Sequence, residues 1–122
     1  MNETKLLVVD DDEDTCATLV DVLEEIGYAT DVAYRGWAAL DLLMQRKYDL
    51  VLLDYKLPCM TGVELFGRIR EMYGDMEGLL ITAHASPETA EAARKSGLHK
   101  VVRKPVDMQR LVFLIDQLTN PN

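Results

Sequence analysis

Residues 49–54 read Asp49-Leu50-Val51-Leu52-Leu53-Asp54, and residues 5–12 read Lys5-Leu6-Leu7-Val8-Val9-Asp10-Asp11-Asp12. Each stretch is a short, unbroken aliphatic run that ends in carboxylate. A strand with one face in water alternates apolar and polar residues; a strand covered on both faces does not. Both runs therefore read as buried strands, Lys5–Val9 and Asp49–Leu53, with acids placed where each strand leaves the core.

Working outward, short apolar runs alternate with amphipathic stretches. Glu13–Ile26 has Cys16, Leu19, Val20, Leu23 and Ile26 at helical spacing, and Gly27 stands where a helix C-cap belongs. Tyr28–Ala33 is a second strand. Gly36–Arg46 groups Ala39, Leu40, Leu43 and Met44 on one side and reads as a helix. Gly62–Tyr73 aligns Val63, Phe66, Ile69 and Tyr73, with Gly74 after it. Gly78–Ile81 is a fourth strand. Pro87–Ser96 opens with a proline suited to a first helical turn and stops at Gly97. Its apolar residues are mostly alanines, so it should be the most weakly anchored helix. Lys100–Val102 is a fifth strand, and Asp107–Leu118 closes the chain as a helix along Met108, Leu111, Val112, Ile115 and Leu118. Five strands alternating with five helices predict an α/β class protein: a single doubly wound (βα)5 sandwich around a five-stranded parallel sheet, with right-handed crossovers and helices on both faces.

Length and composition agree. The 122 residues suit one domain, and 48% hydrophobic residues are too many for a disordered chain. A formal net charge of −8, with no Lys/Arg cluster, argues against direct nucleic-acid binding and against an anionic membrane surface. No apolar run is long enough to span a membrane, and Leu6–Val9 is too short for the core of a signal peptide. Cys16 and Cys59 make neither a disulfide framework nor a zinc site. The expected setting is a reduced cytoplasm.

Ligands of open α/β sheets bind beyond the carboxyl ends of the strands. There the first strand leads into Asp10-Asp11-Asp12, the third into Asp54, the fourth into Thr82-Ala83 and the fifth into Arg103-Lys104-Pro105. Carboxylates, a hydroxyl and an ammonium thus meet at one edge. Asp12, Glu13 and Asp14 read as a solvated, helix-starting run, with Asp12 a good N-cap. Asp10 and Asp11 sit on a buried strand end and fit that reading poorly. With Asp54 they crowd three carboxylates together, and two like charges ~4 Å apart cost about 4 kcal/mol at an effective dielectric near 20. A hard divalent cation removes that cost, and an all-oxygen site points to Mg²⁺ or Mn²⁺ rather than zinc. Lys104 is expected to pair with Asp54 at rest. Thr82 reads either as a β-branched strand residue or as a phosphate donor.

These motifs together resemble the receiver domain of two-component response regulators, over the whole chain, 1–122, and in register. Leu6-Leu7-Val8-Val9-Asp10-Asp11 resembles the family's acidic pair. Asp49-Leu50-Val51-Leu52-Leu53-Asp54 resembles the strand leading to its phosphoacceptor. Leu57-Pro58-Cys59-Met60-Thr61-Gly62 resembles the loop that follows, Ile81-Thr82-Ala83 the switch hydroxyl with its small neighbour, and Arg103-Lys104-Pro105 the lysine with its usual cis-proline bond. The resemblance implies a flavodoxin-like strand order 2-1-3-4-5. It implies Mg²⁺, with Mn²⁺ able to substitute, held by Asp10, Asp11, Asp54 and the backbone carbonyl of Lys56. It also implies phosphoryl transfer to Asp54, with Thr82 and Lys104 on the phosphoryl oxygens. The phosphoryl donor would be a sensor histidine kinase or a histidine phosphotransfer protein, and an output partner or domain would read the fourth helix, fifth strand and fifth helix, a face that also serves homodimers. The domain would catalyse only its own phosphorylation and dephosphorylation.

One position departs from the family. Val101 stands where an aromatic residue usually lies three before the lysine, which leaves Thr82 and the Ala83–Pro87 loop to carry the switch. Lys56 and His84, two residues after Asp54 and Thr82, flank the site as modulators. His99 reads as an ordinary loop residue and Trp37 as a packing or surface aromatic. Other readings fit less well. A haloacid-dehalogenase-type phosphatase would have Thr or Val where Asp14 stands, and a cap domain. An EF-hand loop would have glycine at Thr15 and glutamate at Asp21. An FMN site would follow the first strand with a Gly/Ser/Thr-rich loop.

Overall fold

In the computed structural model, residues 3–98 and 100–120 are described. Five strands form one parallel sheet: β1 (Lys5–Val9), β2 (Ala29–Ala33), β3 (Leu50–Asp54), β4 (Gly78–Thr82) and β5 (Val101–Arg103). Their order across the sheet is β2-β1-β3-β4-β5, with Val8 opposite both Val32 and Leu52, Leu52 opposite Leu79, and Ile81 opposite Val102. Order 2-1-3-4-5 is what the resemblance implies. It places β1 and β3, the two strands that end in acids, side by side.

Five helices cover the sheet: α1 (Glu13–Ile26), α2 (Gly36–Gln45), α3 (Gly62–Tyr73), α4 (Pro87–Ser96) and α5 (Met108–Thr119). Alternate residues of a strand point to opposite faces, and the core divides on that rule. Leu7, Val9, Val51, Leu53 and Leu80 pack with Ala39, Leu43, Leu65, Phe66, Ile69 and Ala93, from α2, α3 and α4. Leu6, Val8, Leu50, Leu52, Leu79 and Ile81 pack with Cys16, Leu19, Leu23, Leu111 and Ile115, from α1 and α5. Two apolar faces explain the missing alternation.

Element ends move by about a residue from the sequence expectation. Tyr28 is not yet strand, because its N–H turns back to the Leu23 carbonyl at 3.1 Å and completes the α1 cap. Arg46 is extended rather than helical (ψ 157°) and so ends α2. Asp54 and Thr82 belong to their strands, and Arg103 extends β5 so that Lys104 follows it directly. Asp107 is the N-cap of α5, accepting from the Gln109 and Arg110 N–H groups, not its first helical residue. A small antiparallel hairpin, Lys56–Leu57 with Met60–Thr61, was not expected; two-residue strands are too short to show periodicity.

Candidate functional site: a carboxylate cluster at the carboxyl end of the sheet

Asp10 is the residue most firmly held. It follows β1 directly and is 3% exposed. Its N–H donates to the Ala33 carbonyl at 3.1 Å, continuing the β1–β2 ladder by one rung. Its Oδ1 accepts from the Asp12 N–H at 2.9 Å and its Oδ2 from the Lys104 Nζ at 3.1 Å. Its carbonyl accepts from the Cys16 thiol at 3.2 Å. Burial, then the nearby Asp10 charge, pushes the Cys16 thiol up to about 12. Cys16 is therefore a protonated donor that fixes Asp10, not a nucleophile.

Asp12 is spent on the helix. It caps α1, with its carboxylate accepting from the Asp14 N–H at 3.1 Å and the Thr15 hydroxyl at 3.0 Å. The Thr15 hydroxyl is the main reason that its carboxyl sits below the ordinary range. Asp11 is exposed and faces the remaining cluster.

Asp54 ends β3, half-buried. One carboxylate oxygen from each of Asp10, Asp11 and Asp54 lies within 4.8 Å of the other two. Burial first, and then the Asp10 charge, raise the Asp54 carboxyl above its ordinary value, and Lys104 only partly offsets them. The Lys104 Nζ lies 3.5 Å from Asp54 and 3.1 Å from Asp10. The resting partner is therefore chiefly Asp10, with Asp54 the longer contact. Burial disfavours the ammonium, but the hydrogen bond it donates to Asp10 and the charges of both acids outweigh it, so Lys104 stays firmly protonated. One ammonium faces three carboxylates. That surplus of hard oxygen ligands is the donor set a small divalent cation takes.

Lys104 and Thr82 are tied through the backbone: the Lys104 N–H donates to the Thr82 carbonyl at 2.9 Å, and the peptide bond from Lys104 to Pro105 is cis. Thr82 is fully buried at the end of β4, beside the Asp54–Ile81 rung of the sheet. Its hydroxyl accepts from the His84 N–H at 2.9 Å, so at rest it is engaged by its own loop rather than by the acids. Ala83 and His84 are exposed. The Arg103 guanidinium reaches the Ala85 carbonyl at 3.4 Å. Val101 is half-buried on β5, and Lys56 is exposed opposite Thr61 in the hairpin. Trp37 is a surface aromatic, 63% exposed; His99 lies outside the described residues.

Two contributors escaped the sequence reading. Cys16 is one. Gly62, at the start of α3, is the other: its N–H donates to the Tyr55 carbonyl at 2.7 Å, and a Cβ there would collide with the Asp54 carbonyl oxygen. The Thr61 capping box with Glu64, closed by hydrogen bonds of 3.0 and 3.1 Å, fixes where α3 begins. The turn that joins Lys56–Leu57 to Met60–Thr61 puts Cys59 at φ 67°, a conformation other residues than glycine and asparagine adopt at a cost. The sequence reading started this helix at Gly62 but did not single out the Thr61–Glu64 cap, and the close approach to Asp54 depends on a contact that no local pattern carries.

Comparison with known proteins agrees. Residues 6–116 match the model of the response regulator receiver domain. A response regulator receiver protein of Anaeromyxobacter sp. is 34% identical over 110 residues, 90% of this chain and 46% of the relative, so the chain spans about half of that protein's length. A CheY-like receiver domain from Methanospirillum hungatei superposes with a TM-score of 0.93 at 27% identity, over 98% of this chain and 96% of the other. A response regulator from Burkholderia pseudomallei, solved with a phosphorylated aspartic acid, a calcium ion and citrate, gives 0.84 at 30% identity, over 90% of this chain and 65% of the other. With the sheet order, the carboxylate cluster and the lysine all in place, the chain belongs to the response regulator receiver domain family.

Proposed function

We propose that the whole chain, 1–122, works as one cytoplasmic receiver that takes a phosphoryl group on Asp54 from the phosphohistidine of a sensor histidine kinase or histidine phosphotransfer protein. The observation that carries this reading is the Asp54 carboxylate at the end of β3, clustered with Asp10 and Asp11 and 3.5 Å from the Lys104 ammonium. A related protein with a phosphorylated aspartate supports it.

A carboxylate oxygen of Asp54 attacks phosphorus in line; the P–N bond breaks and the imidazole leaves with its electron pair. Mg²⁺, or Mn²⁺ in its place, held by Asp10, Asp11, Asp54 and the Lys56 carbonyl, would neutralise charge on the phosphoryl oxygens when bound. Lys104 lies near enough to both acids to exchange Asp10 for a phosphoryl oxygen. Thr82 turns its hydroxyl from the His84 N–H to a second phosphoryl oxygen, and the 83–87 loop follows. An open cavity of about 350 Å³, lined by Thr15, Leu19, Pro105, Val106 and Met108 beside Lys104, gives the donor protein an apolar foothold at the rim. The domain turns over only itself: water later cleaves the acyl phosphate, at a rate set by Lys56, Ala83 and His84 along its path. Readout runs through α4, β5 and α5, a surface open to an output partner or a second copy, with no contribution from direct nucleic-acid binding.

Acetyl phosphate tests the assignment. Intact mass should show one added phosphoryl group with Mg²⁺ and none with EDTA. Undiminished labelling of Asp54→Asn would refute it. Substitutions of Lys56 and His84 should change the decay of the label more than its formation.

A further inference from the structure

Away from the carboxylate cluster, α2, the segment before β3 and the end of α3 enclose an open cavity of about 470 Å³. Its walls are Leu43, Met44, Tyr73 and Met76, and its polar lining includes Arg46 and Lys47 but no carboxylate. That lining stands out on a chain of net charge −8. Apolar side chains are presented rather than tucked away: Met44 is 70% and Tyr73 39% exposed. The two cations differ. Arg46 bonds Asp31 at 3.0 Å, which fixes its guanidinium at the cavity edge. Lys47 is exposed and has no ion pair among the described residues. Tyr48 closes the floor, 7% exposed, with its hydroxyl held by Asp31 at 2.6 Å, so the base is rigid.

We propose that this cavity binds a small amphipathic carboxylate: an aromatic or short alkyl group seated against Leu43, Met44, Tyr73 and Met76, with its terminal carboxylate on Lys47. The volume falls in the range of roughly 300–1,000 Å³ usual for small-molecule sites, and a mostly apolar wall with one or two placed charges is their usual make-up. The size favours a free small molecule over a protein face, and the sign of the lining favours an anion. Tyr48 precedes β3 and Asp54 ends it, so the cavity is separate from the phosphoryl site and does not depend on its assignment.

The experiment is an amide chemical-shift titration of the whole chain with three probes that share one phenylpropyl group: 4-phenylbutyrate, 3-phenyl-1-propanol and 3-phenylpropylamine. The carboxylate should bind in the millimolar range and move the amides of residues 43–48 and 73–76. It should bind roughly threefold or more tightly than the alcohol, in line with one exposed charge pair, and the amine should bind least. Lys47→Glu, a surface change checked for an unaltered thermal midpoint, should reverse the order of acid and amine. Equal binding of acid and alcohol, shifts centred instead on Trp37 or Phe113, or an unchanged order in Lys47→Glu would each overturn the proposal.

Discussion

Asp31 and Asp54 are both partly buried carboxylates at the sheet, and the protein treats them in opposite ways. At the edge strand β2, Asp31 accepts from the Tyr48 hydroxyl at 2.6 Å and the Arg46 guanidinium at 3.0 Å, with the Lys5 ammonium at 3.9 Å. Burial alone would raise its carboxyl; Tyr48 and Arg46 outweigh burial and hold it below the ordinary range. At the end of β3, burial and Asp10 outweigh Lys104, and Asp54 is raised. Burial pushes both carboxyls up, and the sign turns on whether the neighbours overturn it, as Tyr48 and Arg46 do at Asp31, or add to it, as Asp10 does at Asp54. The edge is charge-matched and needs nothing further. The carboxyl end is short of positive charge, which is the condition expected of a site that receives a cation and a phosphoryl group.

The helices repeat the contrast. α3 buries Leu65, Phe66 and Ile69 at full depth, while α4 buries only Thr89 and Ala93. Yet α4 is well ended: Ser86 caps it, Pro87 opens it, and Gly97 closes it at φ 100°. It is held by its termini rather than its face. That would suit the helix that follows Thr82 and its loop to shift if the proposed loop movement occurs.

The largest expected effect tests how tightly α3 is pressed to the site. Gly62→Ala should cost about 1–3 kcal/mol in urea unfolding, because its Cβ meets backbone that cannot step aside. A loss below a few tenths would mean the approach is slack. Next come the caps. Ser86→Ala and Thr61→Ala should each cost about 1 kcal/mol, but hydrogen exchange should rise throughout α4 in the first and only at the first turn of α3 in the second. Equal exchange in both would erase the distinction between the helices. Smaller again, Cys59→Asn should stabilise by about 0.5–1 kcal/mol by relieving the left-handed residue; a loss would show that its thiol is needed there.

The smallest effect concerns pH. A carboxyl lowered on folding contributes stability above its unfolded value and loses it as pH falls through its folded value. Asp31→Asn should therefore be less stable than the parent at pH 7 and converge with it under acid. The difference is small because Asp31 and its cations are partly exposed. A gap that persists at low pH would assign it to packing instead.

Much of this was legible in the sequence, for physical reasons that differ by element. Leu50–Leu53 and Leu6–Val9 announced buried strands because both sheet faces are covered. The acids after them announced the site because strand ends deliver side chains to one edge. What escaped depends on distances between segments remote in the chain. The sequence pairs Lys104 with Asp54, but the long side chain reaches past the end of β3 to Asp10, 3.1 Å away against 3.5 Å for Asp54. Cys16 looked like a core residue, and it is one, but its thiol also bonds the Asp10 carbonyl. The hairpin around Pro58 was too short to leave a period.

The central claim is that the carboxyl end is destabilised by its own surplus charge. The direct test is the thermal midpoint of the parent and Asp54→Asn at pH 7, each in EDTA and in Mg²⁺. A carboxyl raised on folding lowers stability as pH climbs past its unfolded value, and that cost is fully present at neutral pH once the folded value is passed. In EDTA the variant should therefore melt above the parent. In Mg²⁺ the parent should rise by more than the variant and close the gap. A variant that melts below the parent in EDTA, with no stabilisation of the parent by Mg²⁺, would contradict the account.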